Sequence, residues 1–385
     1  MRSTLLALPF IGSALAARPF VNEPATGIEE LFDSLPAGNL VPLNQIVALH
    51  DFDYAARKFL IPANYTYYRN GAGGEWSYRN NLEVFQRYRL RPRVMLDVTG
   101  VEATLPTTIL GYNFSAPFFI CPASRAANGN PTEVERGLVE GAAAGGILYN
   151  QAGYSDLSVE EVGEIAAKNN QTFFRQIYLT GNDTTDKTAF NRAKAAGAKA
   201  IIWTVDSAAD GVRHRAARYS MGSANGGFSL QTWGEYKKYK TWTDLPIVLK
   251  GIQTVEDAQE AVANGADAIW LSNHGGRQVD GSPSSLEVAL EIHQEAPEVF
   301  KQIEVYADGG VRYGSDVLKL LALGVRAVGL GRPFMYANVY GTEGVKHLIK
   351  LLKNEIINDA GNAGIADLHN ISPRAINWNV NHWYS

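Results

Sequence analysis

The sequence predicts an α/β protein: a (β/α)8 (TIM) barrel preceded by a helical extension. Three observations predict it. Eight short apolar runs recur along the chain: APFFICPA, GILYNQA, TFFRQIYL, AKAIIWTVD, LPIVLKG, ADAIWLSN, IEVYADGG and RAVGLGRP. Stretches of helical period separate most of them, including SVEEVGEIAAKN, TVEDAQEAVANG and GSDVLKLLALG. The first two carry a Ser or Thr cap and an acidic first turn. Third, the runs end in polar residues of complementary chemistry, and the C-terminal ends of the strands form the active face of such a barrel. A doubly wound sheet rarely needs eight such units and leaves their regularity unexplained.

Element by element, the chain opens on MRSTLLALPFIGSALAARPF, with Arg2, an apolar Leu5–Leu15 stretch and an A-x-A pattern at Ala14 to Ala16. This reads as a secretory signal over residues 1–17, too short to span a membrane. Five N-x-S/T sequons, at Asn64, Asn113, Asn170, Asn182 and Asn370, fit a secreted glycoprotein. Residues 18–104 form the extension, with a helix expected from Leu43 to Leu60 and then a basic, aromatic segment, NYTYYRNGAGGEWSYRNN. Residues 105–385 form the barrel and C-terminal helices.

Composition narrows the partners. A net charge of −4 over 385 residues argues against a nucleic-acid surface or a polybasic membrane patch. The single cysteine, Cys121, excludes an internal disulfide and a cysteine-based zinc site, and its apolar setting predicts an inert buried thiol. No metal is expected.

The end of the sixth run holds the sharpest motif, LSNHGGRQVDG at 271–281, which brings a histidine, two glycines and an arginine to a strand mouth. Glycine there opens the backbone to close approach, while His274 offers a base and Arg277 an anion clamp. Ser272 to Gln278, together with YTYYRNGA, RPRVMLDVTG, TVD, LPIVLKG, DGGVRYGSDVLKLLALG and GRP, resembles the FMN-dependent 2-hydroxy-acid oxidase and dehydrogenase family. The similarity runs from about Tyr65 to the C-terminal helices. It implies FMN in the barrel mouth and oxidation of the hydroxyl-bearing carbon of an S-2-hydroxy acid, with a homotetramer as the family's assembly.

The resemblance implies roles residue by residue. His274 is the base, oriented by Asp206, whose carboxylate stabilises the imidazolium. Arg277 and Arg213 grip the substrate carboxylate through planar guanidinium forks, and Tyr67 adds a hydrogen bond. Tyr178 bonds the reacting oxygen. Lys250 tunes the flavin as a nearby cation. Asp308, Gly309, Gly310, Val311 and Arg312, with Gly331 and Arg332, hold phosphate and ribityl where barrels commonly bind phosphate. Pro122, Ala123 and Ser124, with Gln176, Thr204 and Ser272, bond the isoalloxazine rim.

Some positions depart from the family pattern. Ala152 stands where a hydroxyl residue often meets flavin, and Tyr154 where glycolate oxidases carry a tryptophan. Ser207-Ala208 replaces a usual Thr-Pro, and the connection from Arg213 to Leu245 is short. That connection, with Phe228 and Trp233, is expected to lie over the flavin as a flexible lid and to touch a substrate larger than glycolate, aromatic or long and aliphatic. The expected acceptor is O2, since nothing ahead of the barrel reads as a haem domain. A quinone or small protein as acceptor, or a non-catalytic flavin-binding barrel, stand as alternatives, and hydride or carbanion transfer is left open.

Overall fold

The computed structural model describes residues 26–221 and 227–377. The signal expected over residues 1–17 lies outside them. All eight apolar runs form strands: β1 (Phe118–Ile120), β2 (Leu148–Gln151), β3 (Phe173–Ile177), β4 (Ile201–Thr204), β5 (Ile247–Ile252), β6 (Ala268–Leu271), β7 (Glu304–Asp308) and β8 (Ala327–Leu330). They pair in parallel in chain order, and β8 returns to β1 through Val328 opposite Phe118 and Leu330 opposite Ile120, so the barrel is closed.

Strands buried on both faces need apolar residues at every position, which is why these runs show no alternation. One set packs inside the barrel: Phe119, Leu148, Phe174, Ile202, Val248, Trp270 and Tyr306 form a cluster of their own. Phe119 and Trp270 meet edge-on there, with ring centroids 4.8 Å apart. A hairpin of Thr107–Ile109 and Tyr112–Phe114 adds Ile109 and Phe114 to that cluster. The other set, including Phe118, Tyr149, Ile201, Leu249 and Leu271, joins the larger core shared with the helices.

The helices begin where side chains satisfy their first N–H groups. Ser158 and Glu161 form a reciprocal cap on Val159–Lys168, and Thr254 caps Val255–Ala263. The expected helix over Leu43–Leu60 is corrected: a 3-10 turn, Leu43–Gln45, precedes a helix confined to Leu49–Phe59. The Asp51 carboxylate accepts from Val47 N–H at 2.8 Å and Ala48 N–H at 3.0 Å, which fixes the helix start there.

The short lid is also different from expectation. Trp233 begins a helix, Trp233–Lys240, capped by Thr232 and packed on the outer core, while Phe228 is 95% exposed. Neither lines the cavity described next. Residues 222–226 of that connection lie outside the described residues. Four sequons, Asn113, Asn170, Asn182 and Asn370, are exposed; Asn64 is half-buried and its amide donates to Asn128 O.

Candidate active site

The strand ends converge on a cavity of about 400 Å³. Of the residues expected at the site, all but Asp206 and Ser272 line it. Those two stand directly behind its wall.

The Asn273–Gly276 stretch that follows β6 turns sharply. His274, Gly275 and Gly276 all adopt left-handed backbone, with φ of 60°, 67° and 74°. Such a run is costly for ordinary residues, and here Ser272 Oγ helps hold it by accepting from His274 N–H at 3.0 Å. The two glycines clear space for protein rather than for a ligand. A Cβ on Gly276 would lie 2.5 Å from Tyr78 N, and one on Gly275 would lie 3.1 Å from Arg332 Nη1.

The turn delivers His274 between two partners. Its Nδ1 stands 2.9 Å from Asp206 Oδ1, and its Nε2 lies 3.5 Å from the Tyr178 hydroxyl on the cavity wall. Burial pushes His274 below the ordinary histidine range, with Asp206 pulling against it. Burial works to raise Asp206, but His274 and Lys250 outweigh it and hold the carboxyl below its usual range. At neutral pH the ring is therefore neutral and the carboxylate charged. Burial and the nearby Asp206 charge push the Tyr178 hydroxyl well up, so it is a hydrogen-bond donor.

In the cavity wall, Lys250 Nζ bonds Ser272 Oγ at 2.8 Å and lies 3.4 Å from Asp308 Oδ2. Ser272 Oγ in turn donates to Asp308 Oδ1 at 2.8 Å. Burial opposes the charge on Lys250, but Asp308 and Asp206 overcome it and keep the amine firmly protonated. Ser272 thus spends its hydroxyl on this triad. Gln176 is similarly occupied, accepting from Gly153 N–H at 2.6 Å and donating to Thr204 Oγ1 at 3.0 Å.

Arg277 and Arg213 come together as expected. Arg213 Nε donates to Arg277 O at 2.8 Å and its Nη2 to Gln278 Oε1 at 2.6 Å, so Arg213 also braces the loop that carries Arg277. Burial and the Arg277 charge push the Arg213 guanidinium down to about 9. Arg277 stands 5.4 Å from the Tyr67 ring centre, and its Nε is buried without a hydrogen-bond partner among the described residues. Tyr67 arrives on the extension helix Pro62–Tyr68. Arg332 clamps that segment to the barrel, donating to Tyr68 O, Asn70 O and Gly275 O at 2.8–2.9 Å.

FMN fits the residues present. Gly331 needs no special backbone, with φ of −98°, yet a Cβ there would meet only Cys121 Cβ, at 3.7 Å. Gly331 lines the cavity that Arg312 and Arg332 also line, so backbone and guanidinium groups could meet a phosphate there. Arg312, Arg332, Arg213 and Arg277 line that cavity, while the only carboxylate lining it among the described residues, Asp308, is engaged by Lys250. Such a wall needs anionic guests.

The sequence reading missed several contributors. Asn273 and Asn81 exchange amide hydrogen bonds at 2.8 and 2.9 Å, tying the extension to the histidine loop. Gln278 braces Arg213. Arg125, Tyr68, Ser207 and Met335 line the cavity. The signal for Asn273 and Gln278 was present in the LSNHGGRQ motif, and Arg125 follows Ser124 directly at the end of the first run.

Comparison with known proteins places the chain in a family. The model of the FMN-dependent dehydrogenase family matches residues 56–230 and 221–378. A peroxisomal (S)-2-hydroxyacid oxidase of Arabidopsis thaliana is 36% identical over 340 residues, covering 81% of this chain and 91% of the relative. The L-lactate dehydrogenase (cytochrome) of Saccharomyces cerevisiae is 32% identical over 362 residues, covering 87% of this chain; the chain spans only 61% of that protein's length. Among solved structures, a double mutant of flavocytochrome b2 with pyruvate bound superposes with a TM-score of 0.84 at 32% identity, covering 93% of each chain. Mandelate oxidase with (S)-2-phenylpropionate gives 0.78 at 34% identity, covering 86% of this chain and 98% of that one. With its closed eight-stranded barrel and these matches over most of its length, the chain belongs to the FMN-dependent dehydrogenase family.

Proposed function

We propose that this chain oxidises an S-2-hydroxy acid to the 2-oxo acid and passes the electrons to O2, releasing hydrogen peroxide. The observation that carries the reading is the line Asp206–His274–Tyr178, which ends in the same cavity as the Arg277 guanidinium. Arg277 and Arg213 bind and orient the substrate carboxylate, which sets the hydroxyl-bearing carbon before His274. Tyr178 donates to the substrate oxygen, and neutral His274 takes the proton that leaves the substrate at Nε2. Asp206, on Nδ1, fixes the tautomer and stabilises the imidazolium that forms. Lys250 supplies a fixed positive charge on the cofactor side. FMN, when bound, supplies the two-electron acceptor.

A second reading passes the electrons to a quinone or protein instead. Relatives named as oxidases and a relative named as a cytochrome-linked dehydrogenase lie at similar identity, 36% and 32%. Peroxide formed in step with substrate favours O2. Rapid turnover with a quinone and little peroxide favours the alternative.

The reading includes secretion, supported by the Arg2, Leu5–Leu15 and A-x-A pattern and by four exposed sequons. N-terminal sequencing and glycosidase treatment of protein from the growth medium test it. The tetramer rests on the family resemblance, and sedimentation tests it. For the chemistry, an anaerobic panel of 2-hydroxy acids is added to FMN-loaded protein. Bleaching by S acids supports the reading, and none from any acid overturns it.

A further inference from the structure

One cation in the cavity has no role in this account. Lys250 pairs with Asp308, Arg312 and Arg332 are assigned to the cofactor phosphate, and Arg277 and Arg213 to the substrate carboxylate. Arg125 is left over.

Its placement is built rather than incidental. Arg125 follows β1 and adopts left-handed backbone, with φ of 60° and ψ of 54°. A non-glycine residue persists there only when its surroundings hold it. The Tyr68 hydroxyl does so, donating to Arg125 O at 2.7 Å. This sets the Arg125 guanidinium 5.1 Å from the centre of the Tyr67 ring, the ring that has Arg277 at 5.4 Å. Both guanidiniums are thus within reach of one small ligand. Among the described residues Arg125 forms no ion pair; its other neighbour is the Met221 sulfur, 3.9 Å away. Asp156, on the loop after β2, is turned to Ala127 N–H at 2.8 Å. An arginine held at a cavity mouth without a carboxylate is arranged to receive one.

We infer that Arg125 is a specificity residue that binds a second carboxylate, so that the preferred substrates are S-2-hydroxy dicarboxylates of four or five carbons. One carboxylate sits on Arg277 and Arg213, and the other on Arg125. Tyr154, half-exposed and stacked on Tyr178 with centroids 5.3 Å apart, and the half-buried Ser124 complete a polar side-chain pocket. This replaces the aromatic or long aliphatic tail expected from the sequence, because Phe228 and Trp233 stand away from the cavity. The inference rests on the proposed 2-hydroxy-acid chemistry and names the substrate class for it.

The test compares chain-matched pairs in anaerobic stopped flow: (S)-malate against (S)-2-hydroxybutyrate, and (S)-2-hydroxyglutarate against (S)-2-hydroxyvalerate. In the wild type, the second-order rate of flavin reduction for the better dicarboxylate should exceed its partner by roughly 10–100-fold, the worth of a charge-assisted hydrogen bond. Arg125→Met should collapse that ratio to near one, and Arg125→Lys should keep part of it. Binding of 2-oxoglutarate against 2-oxovalerate, followed by the flavin spectrum, should show the same preference and the same loss without turnover. Monocarboxylates that reduce the flavin as fast as or faster than both dicarboxylates overturn the inference while leaving the chemistry standing. So does an Arg125→Met variant, with normal FMN content and thermal midpoint, that keeps the ratio. Absence of reduction by any acid in the panel instead overturns the chemistry.

Discussion

His274 Nδ1 stands 2.9 Å from the carboxylate of Asp206, which is wholly buried, while the other edge of the ring opens to the cavity beside Tyr178. This pairing fixes both what the histidine does and the pH at which it does it. A base must be neutral to accept a proton, and burial holds His274 below its ordinary range. The rate of flavin reduction should therefore rise with pH to a plateau, with its midpoint below the ordinary histidine value of about 6.5. The raised Tyr178 causes no loss on the alkaline side up to its own ordinary range. Asp206 pulls the ring the other way, toward protonation. Asp206→Asn should lower the plateau by at least ~10²-fold and move the midpoint to still lower pH. A midpoint that moves upward contradicts the pairing.

Arg277 is half-buried beside Arg213, with an Nε that has no hydrogen-bond partner among the described residues. A lysine offers a point charge in place of the fork. Arg277→Lys should weaken substrate binding by roughly 10-fold or more while FMN stays bound. Titration of the oxidised enzyme with a 2-oxo acid, read by the flavin spectrum, checks it; an unchanged dissociation constant argues that the clamp lies elsewhere.

Gly331 is open on its cavity side and its backbone tolerates a side chain. Gly331→Leu should leave the apoprotein folded, with a thermal midpoint within a few degrees of wild type. FMN affinity should fall at least ~10-fold, because the side chain occupies the space that phosphate needs. Normal FMN affinity in this variant places the phosphate elsewhere.

Phe228 is 95% exposed and absent from the cavity wall. Phe228→Ala should leave kcat/KM within about 2-fold for every substrate, as for ordinary surface changes. A selective loss with one acid restores the lid role that the sequence suggested.

The barrel was legible because each strand is an uninterrupted apolar run with a turn on either side. Local pattern carries that information, and all eight runs became strands. The site was legible for a related reason: barrel strand ends share one face, so His274, Tyr178, Lys250 and Arg277 could be assembled from the order of the runs alone. What the sequence concealed depends on long-range side-chain pairing. Asp51 moves a helix start by bonding Val47 and Ala48. Gly276 is needed because Tyr78, nearly two hundred residues earlier, packs against it. Arg125 gains its meaning from Tyr68 and Tyr67, and no periodicity records those contacts.

The central claim is that His274 accepts the substrate's proton during flavin reduction. Anaerobic stopped flow of FMN-loaded wild type and His274→Gln with the same saturating S-2-hydroxy acid measures it directly. The account predicts normal FMN content in the variant and a reduction rate lower by roughly 10²–10⁴-fold. Reduction at a near-normal rate in His274→Gln contradicts it.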